Sequence, residues 1–211
     1  MGLEREHKWL VAAFPDVAGL HAAFAAVGAE LQNAAEREQR DTYFDTSGRE
    51  LGGVGAALRV RRFGSEVLAT YKGSGVVAGS LHTREEIEEP FTEPPALPLR
   101  SWPEAVAEKL NSLGVEAAQL EPLLDLYTTR RRYLLYSSEP GSGAAPIAEL
   151  SFDTVRAAHG ERRVTFRELE LEAYPGTPDR VLAQLGAVLT DLGLTPHASD
   201  KLTHALGLLG P

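Results

Sequence analysis

The sequence predicts an α+β protein built on eight β-strands, with helices packed against their apolar side. Seven of the eight strand-like segments alternate ionisable with apolar residues, the period of a strand with one polar face. Acids gather on the first and last segments, and bases on those between. Segments of helical spacing connect them. In a dry core each unpaired ion would cost several kcal/mol, against a net stability of about 5 to 15 kcal/mol for a domain. The polar faces therefore line either the wet interior of a closed barrel or the solvated side of an open sheet. Separation of the signs favours the barrel, because a face decorated for solubility intersperses them within each strand.

In chain order, the first strand is expected near residues 3–12, with Glu4, Glu6 and Lys8 on one face and Leu3 and Trp9 on the other. Pro15 and Asp16 open a helix carrying Val17, Leu20, Phe24 and Val27. A second strand covers 39–46. The third places Ala57, Arg59 and Arg61 opposite Leu58 and Val60. Gly64 and Ser65 turn the chain into a strand over 66–72, where Thr70 and Lys72 share a face, and the fifth strand aligns His82, Arg84, Glu86 and Glu88. Pro90, Pro94, Pro95 and Pro98 mark an extended linker into a helix over 102–113, with Ser101 as its N-cap. Strands follow over 123–136, presenting Thr128, Arg130 and Arg132; over 147–157, presenting Glu149, Ser151 and Asp153; and over 161–173, presenting Glu168, Glu170 and Glu172. A glycine- and serine-rich turn joins the first two of these over 139–146. Thr177 is expected to cap a helix through Leu192, and a short C-terminal helix carries Lys201.

A single domain over 1–211 is expected, since that length buries a substantial core. With no cysteine, disulfides, zinc thiolates and thiol nucleophiles are excluded. The charged N-terminus and the lack of a long apolar run give the expectation of a cytoplasmic protein with no membrane partner. The net charge of −9 argues against a nucleic-acid partner, although a local basic cluster can still bind phosphate inside an acidic protein. No Walker loop or dinucleotide glycine fingerprint is present. His7 and His82 read as structural, Arg62 and Arg131 as solvated.

Paired carboxylates two residues apart on a strand, as Glu4 and Glu6 are, can hold a hard cation such as Mg²⁺ or Mn²⁺, and Lys8 can meet the anion it carries. The bland alternative is a solvated strand face. Acids facing a wall of bases suit a metal-chelated polyphosphate, the carboxylates taking the cation and the guanidinium forks the phosphate oxygens.

Taken together, Glu4-Arg5-Glu6-His7-Lys8, Tyr43-Phe44-Asp45-Thr46, Arg59-Val60-Arg61, Lys72 before glycine, Arg84 through Glu88, Thr129 through Arg132, Asp153, Glu168 through Glu172 and Lys201 resemble the CYTH domain of the triphosphate tunnel metalloenzymes. The likeness spans nearly the whole chain. It implies an eight-stranded antiparallel barrel tunnel, a divalent metal (Mg²⁺ or Mn²⁺) and a small-molecule triphosphate substrate. By that resemblance Glu4, Glu6, Glu170, Glu172 and Asp153 would hold metal, with Glu168 a further candidate. Lys8, Arg59, Arg61, Lys72, Arg84, Arg130, Arg132 and Lys201 would grip phosphate, and Glu4, Glu6, Lys8, Lys72 and Arg130 would be catalytic. Glu86, Glu88 and Asp153 would orient bases or complete the acidic floor. The family's C-terminal lysine usually follows a serine directly, whereas Asp200 stands between Ser199 and Lys201 here.

The reading that follows is divalent-metal-dependent hydrolysis of inorganic triphosphate, or a related triphosphate, inside a polar tunnel. The alternatives are a class IV adenylyl cyclase, a thiamine triphosphatase and a non-catalytic polyphosphate-binding module. Retention of both glutamate sets counts against the last, and the absence of an evident nucleoside site against the cyclase. The oligomeric state is left open, a homodimer being one outcome.

Overall fold

The structure, a computed structural model, describes residues 2–91, 101–139 and 144–210. In chain order its elements are β1 (Gly2–Leu10), α1 (Val17–Ala26), β2 (Ala29–Asn33), β3 (Arg37–Thr46), α2 (Glu50–Gly53), β4 (Ala57–Phe63), β5 (Glu66–Ala78) and β6 (Leu81–Pro90). They continue with α3 (Glu104–Ser112), β7 (Leu120–Ser137), β8 (Ala148–His159), β9 (Arg162–Ala173), α4 (Asp179–Asp191), β10 (Thr195–Pro196) and α5 (Lys201–Leu209). Eight strands close a ring in the order β1-β6-β5-β4-β3-β7-β8-β9, with β9 pairing back onto β1. Every pairing in it is antiparallel. The expected closed barrel is what the chain forms, with α1 to α4 packed outside its strands. Closure leaves no free sheet edge in the ring.

Two cores lie on the outer wall. Trp9, Phe24, Leu135, Leu150, Leu169 and Leu189 bind α1 and α4 to β1, β7, β8 and β9. Leu51, Leu58, Tyr71, Ile87, Trp102 and Leu110 bind α2 and α3 over β4 to β6. The third core is inside. Leu126 has the parity of Arg130, Val155 that of Asp153 and Phe166 that of Glu170, and all three pack with Ala205 and Leu209 of α5. One end of the lumen is thus apolar and plugged, which corrects the expectation of a uniformly polar interior.

Other expectations shift in detail. β2 and β10 extend the sheet from β7 and β1 and were not foreseen. β1 ends at Leu10 rather than 12, and β3 begins at Arg37 rather than 39. Asp16 caps α1 as expected, accepting from Gly19 N at 2.9 Å. Ser101 does not cap α3, which starts at Glu104. The Glu89 carboxylate on β6 instead accepts from Ala105 N (2.7 Å) and Val106 N (3.2 Å). Thr177 does not cap α4 either: its hydroxyl donates to the Ile147 carbonyl at 2.6 Å. Arg131 is exposed, with its guanidinium over Phe14 and Phe152. Pro94, Pro95 and Pro98 of the expected linker, and residues 140–143 of the expected turn, lie outside the described residues.

A bulge interrupts β5 between Lys72 and Gly75. A Cβ at Gly75 would stand 2.6 Å from the Thr83 carbonyl oxygen, so the close approach of β5 to β6 there needs glycine. The bulge falls directly beyond Lys72, whose own Cα partner is Glu86.

Candidate active site

Alternation along the strands turns the ionisable rows into the lumen, where they line a cavity of about 330 Å³. β1 contributes Glu4, Glu6 and Lys8, β4 Arg59 and Arg61, β5 Lys72, β6 Arg84, Glu86 and Glu88, β7 Arg130, and β9 Glu170 and Glu172. Lys201 enters from the first turn of α5. Register sets the neighbours: Glu6 lies opposite Glu172, and Lys8 opposite Glu170.

One wall is acidic. Glu4, Glu86 and Glu172, from β1, β6 and β9, each offer a carboxylate oxygen within 4.8 Å of the others. Burial, with Glu6 and Glu4 adding to it, pushes the Glu172 carboxyl up to about 8. Burial acts the same way on Glu4, but Lys72, Arg84 and Lys8 overcome it and hold that carboxyl well below the usual range. Three carboxylate oxygens at this spacing form a hard donor set that could hold a divalent cation.

The remaining walls form an ion-pair lattice. Lys8 Nζ meets Glu170 at 2.5 Å and Glu6 at 3.0 Å. Burial disfavours its charge, yet Glu170, Glu6 and Glu168 raise its pKa. Arg84 donates to Glu4 (2.7 Å) and Glu6 (2.9 Å), and Lys72 to Glu4 while lying 3.2 Å from Glu86. Arg130 makes a fork to Asp153 (2.8 and 2.6 Å) and also donates to Glu170. Arg61 makes a second fork to Asp41 (2.7 and 2.8 Å), and Arg59 lies 3.8 Å from the same carboxylate. These ions are tolerated in a buried site because each has a partner.

Lys201 donates to Asp153 at 2.7 Å and to Glu170 at 3.1 Å. The inserted Asp200 acts locally, capping α5 by accepting from Thr203 N at 2.9 Å. It sets the start of the helix that aims Lys201 inward.

Thirteen of the sixteen residues given a role from sequence line the cavity. Asp153 does not; it is fully buried beneath Arg130 and Lys201 and orients both. Arg132 is turned to Glu149, at 3.0 and 2.5 Å. Glu168 is also sealed off: neither of its oxygens has a hydrogen-bond partner, Lys201 lies at 3.4 Å, and burial together with Glu170 and Asp153 pushes it up to about 7. Neither His7, bonded to Ser80 Oγ at 2.8 Å, nor His82, paired with the His197 carbonyl at 2.8 Å, lines the cavity. Sequence reasoning missed Arg37, Tyr43 and Tyr174 of the lining, and Asp41 beneath it. Arg37, Asp41 and Tyr43 share one parity on β3, so the signal was present once that strand is started two residues earlier.

The chain forms a closed antiparallel barrel whose lumen holds an acid triad, able to ligate a cation, together with guanidinium and ammonium groups. Residues 3–195 match the family model described as the CYTH domain, and the chain belongs to that family. No curated protein matches it in sequence. A proposed adenylyl cyclase from Hippeastrum, described as having a dominant triphosphatase activity, superposes with a TM-score of 0.61 at 19% identity, over 95% of this chain and 93% of that one. An adenylate cyclase proposed for a Bacillus halodurans protein gives 0.58 at 18% identity, over 97% and 98%. The PH1819 protein of Pyrococcus horikoshii gives 0.58 at 21%, over 97% and 99%. At these identities the likeness concerns the fold.

Proposed function

We propose that this chain is a divalent-metal-dependent triphosphatase that hydrolyses inorganic triphosphate, or a related triphosphate, inside its tunnel. The observation that carries the reading is that one lumen holds both the Glu4, Glu86 and Glu172 triad and the guanidinium and ammonium groups of Lys8, Arg59, Arg61, Lys72, Arg84, Arg130 and Lys201. Glu4, Glu86 and Glu172 would hold Mg²⁺ or Mn²⁺, with Glu6 and Glu170 beside them. When bound, the ion supplies charge neutralisation and Lewis acidity to phosphate oxygens. Membership of a family with cyclase-named relatives leaves the reaction to be chosen on the site, and the lining favours hydrolysis. It is charged nearly throughout, Tyr43 and Tyr174 are its aromatic members, and the Tyr174 hydroxyl is directed to Glu149.

Phosphoryl transfer asks a protein for position and charge more than for covalent chemistry. Arg59, Arg61, Lys72, Arg84 and Arg130 supply the charge. Asp41 and Asp153 hold Arg61 and Arg130 in fixed forks, so those donors need little reordering when phosphate arrives. Lys8 and Lys201 exchange part of their carboxylate contacts for phosphate oxygens. The α5 plug closes the apolar end. The test is phosphate release from inorganic triphosphate during a Mg²⁺ titration. Wild type should be inactive in chelator and activated by metal, and Glu4→Gln should require far more Mg²⁺; equal activity of the two at limiting Mg²⁺ would refute the assignment of the triad.

A further inference from the structure

One cation of the lumen belongs to none of the sequence motifs. Arg37 opens β3 with its side chain lining the cavity, beside its Cα partner Arg130 on β7. Round the ring of eight, β3 stands four strands from β1 in either direction, so Arg37 faces the wall formed by β9, β1 and β6, where the acid triad sits.

Its setting differs from that of the other bases, all of which pair with a carboxylate, Arg59 only at 3.8 Å from Asp41. Arg61, Lys72, Arg84, Arg130, Lys8 and Lys201 each hydrogen-bond a carboxylate. Arg37 makes no ion pair among the described residues. Its guanidinium instead lies over the Phe63 ring, 4.3 Å from the centroid. The ring holds the guanidinium by a cation–π contact that engages no carboxylate, so its charge is open to an anion. Burial lowers its pKa, with Arg132, Arg130 and Arg61 acting in the same sense and Glu149 against them. An anion reaching this wall displaces no carboxylate from Arg37.

We propose that Arg37, seated on Phe63, binds the end of the phosphate chain that lies farthest from Glu4, Glu86 and Glu172, and thereby favours an inorganic chain over a nucleotide. An inorganic chain presents phosphate to both walls. A nucleoside triphosphate has one free phosphate end, so one wall meets the nucleoside instead. The inference rests on the triphosphatase reading above.

The test measures binding of inorganic triphosphate and of ATP to the metal-free protein by calorimetry, and steady-state kinetics with Mg²⁺, for wild type, Arg37→Gln, Arg37→Lys and Phe63→Leu. Arg37→Gln should weaken inorganic triphosphate by about tenfold or more, the scale of a lost charged hydrogen bond, with the loss mainly in KM and a smaller change for ATP. Arg37→Lys should recover part of it, Phe63→Leu should fall between, and the melting temperature should stay at the wild-type value. Should Arg37→Gln fail to fold, Arg37→Lys carries the test, since it keeps the charge and loses the fork. Affinity within about twofold of wild type, or equal losses for both ligands, would overturn the inference while leaving the reaction in place. If wild type itself neither bound nor hydrolysed inorganic triphosphate, the reading and the inference would fall together.

Discussion

Glu172 lines the cavity, and its carboxyl is displaced from the ordinary 4.5 to about 8, chiefly by burial and then by Glu6 and Glu4. Because the folded value lies above the unfolded one, its contribution to stability is whole below about pH 4.5 and is lost as pH rises through about 8. Glu172→Gln keeps the neutral shape at every pH. In melts of metal-free protein from pH 5 to 8.5, the variant should therefore draw progressively ahead of wild type, and added Mg²⁺ should reverse the order by stabilising wild type more. A gap independent of pH would contradict this account of the triad. Asp153 has the opposite character: it is fully buried, and Arg130 and Lys201 outweigh burial and hold its carboxyl down. Asp153→Asn takes the fork from Arg130 and one carboxylate from Lys201, leaving both cations to share Glu170, and should cost about 3 to 5 kcal/mol in urea unfolding, whereas a loss under about 1 kcal/mol would mean that the pairs are replaceable. The inward rows Glu4/Glu6/Lys8, Arg59/Arg61 and Arg84/Glu86/Glu88 were legible because alternation alone fixes their face. The separate fates of Arg130 and Arg132 were not, since both have the same parity and only the surrounding carboxylates divide them.

Elements show the same division between local and tertiary causes. α1 was readable to its cap because Asp16 closes a bond within its own first turn. α3 and α4 were misread at their starts because Glu89 caps the first from β6, and Thr177 is drawn to Ile147 beside the second. α5 was read as a carrier of Lys201. Its role as plug depends on Leu126, Val155 and Phe166, apolar residues at inward positions whose partner appears only when the helix docks. α4 lies against β1 so closely that a Cβ on Gly186 would come within 2.7 Å of the His7 ring. Gly186→Ala should lower stability by about 1 to 3 kcal/mol, and His7→Ala in the same chain should return much of it. Additive losses in chemical denaturation would show that the two residues do not share that contact.

At the scale of the molecule, one ring of strands separates two solvents. Apolar faces outward bind the helices, apolar residues at one inner end bind α5, and the rest of the lumen holds charge that the net −9 of the chain conceals. Concealment of this kind is why composition argued against nucleic acid yet left a phosphate site open. The lumen's bias toward phosphate over base is the central claim, and product analysis tests it directly. Purified protein with Mg²⁺ is given inorganic triphosphate or ATP, phosphate and pyrophosphate are measured, and the nucleotide is separated by chromatography. The account predicts phosphate from inorganic triphosphate at a higher kcat/KM than for ATP, with no cyclic AMP; cyclic AMP and pyrophosphate from ATP, with inorganic triphosphate left intact, would contradict it.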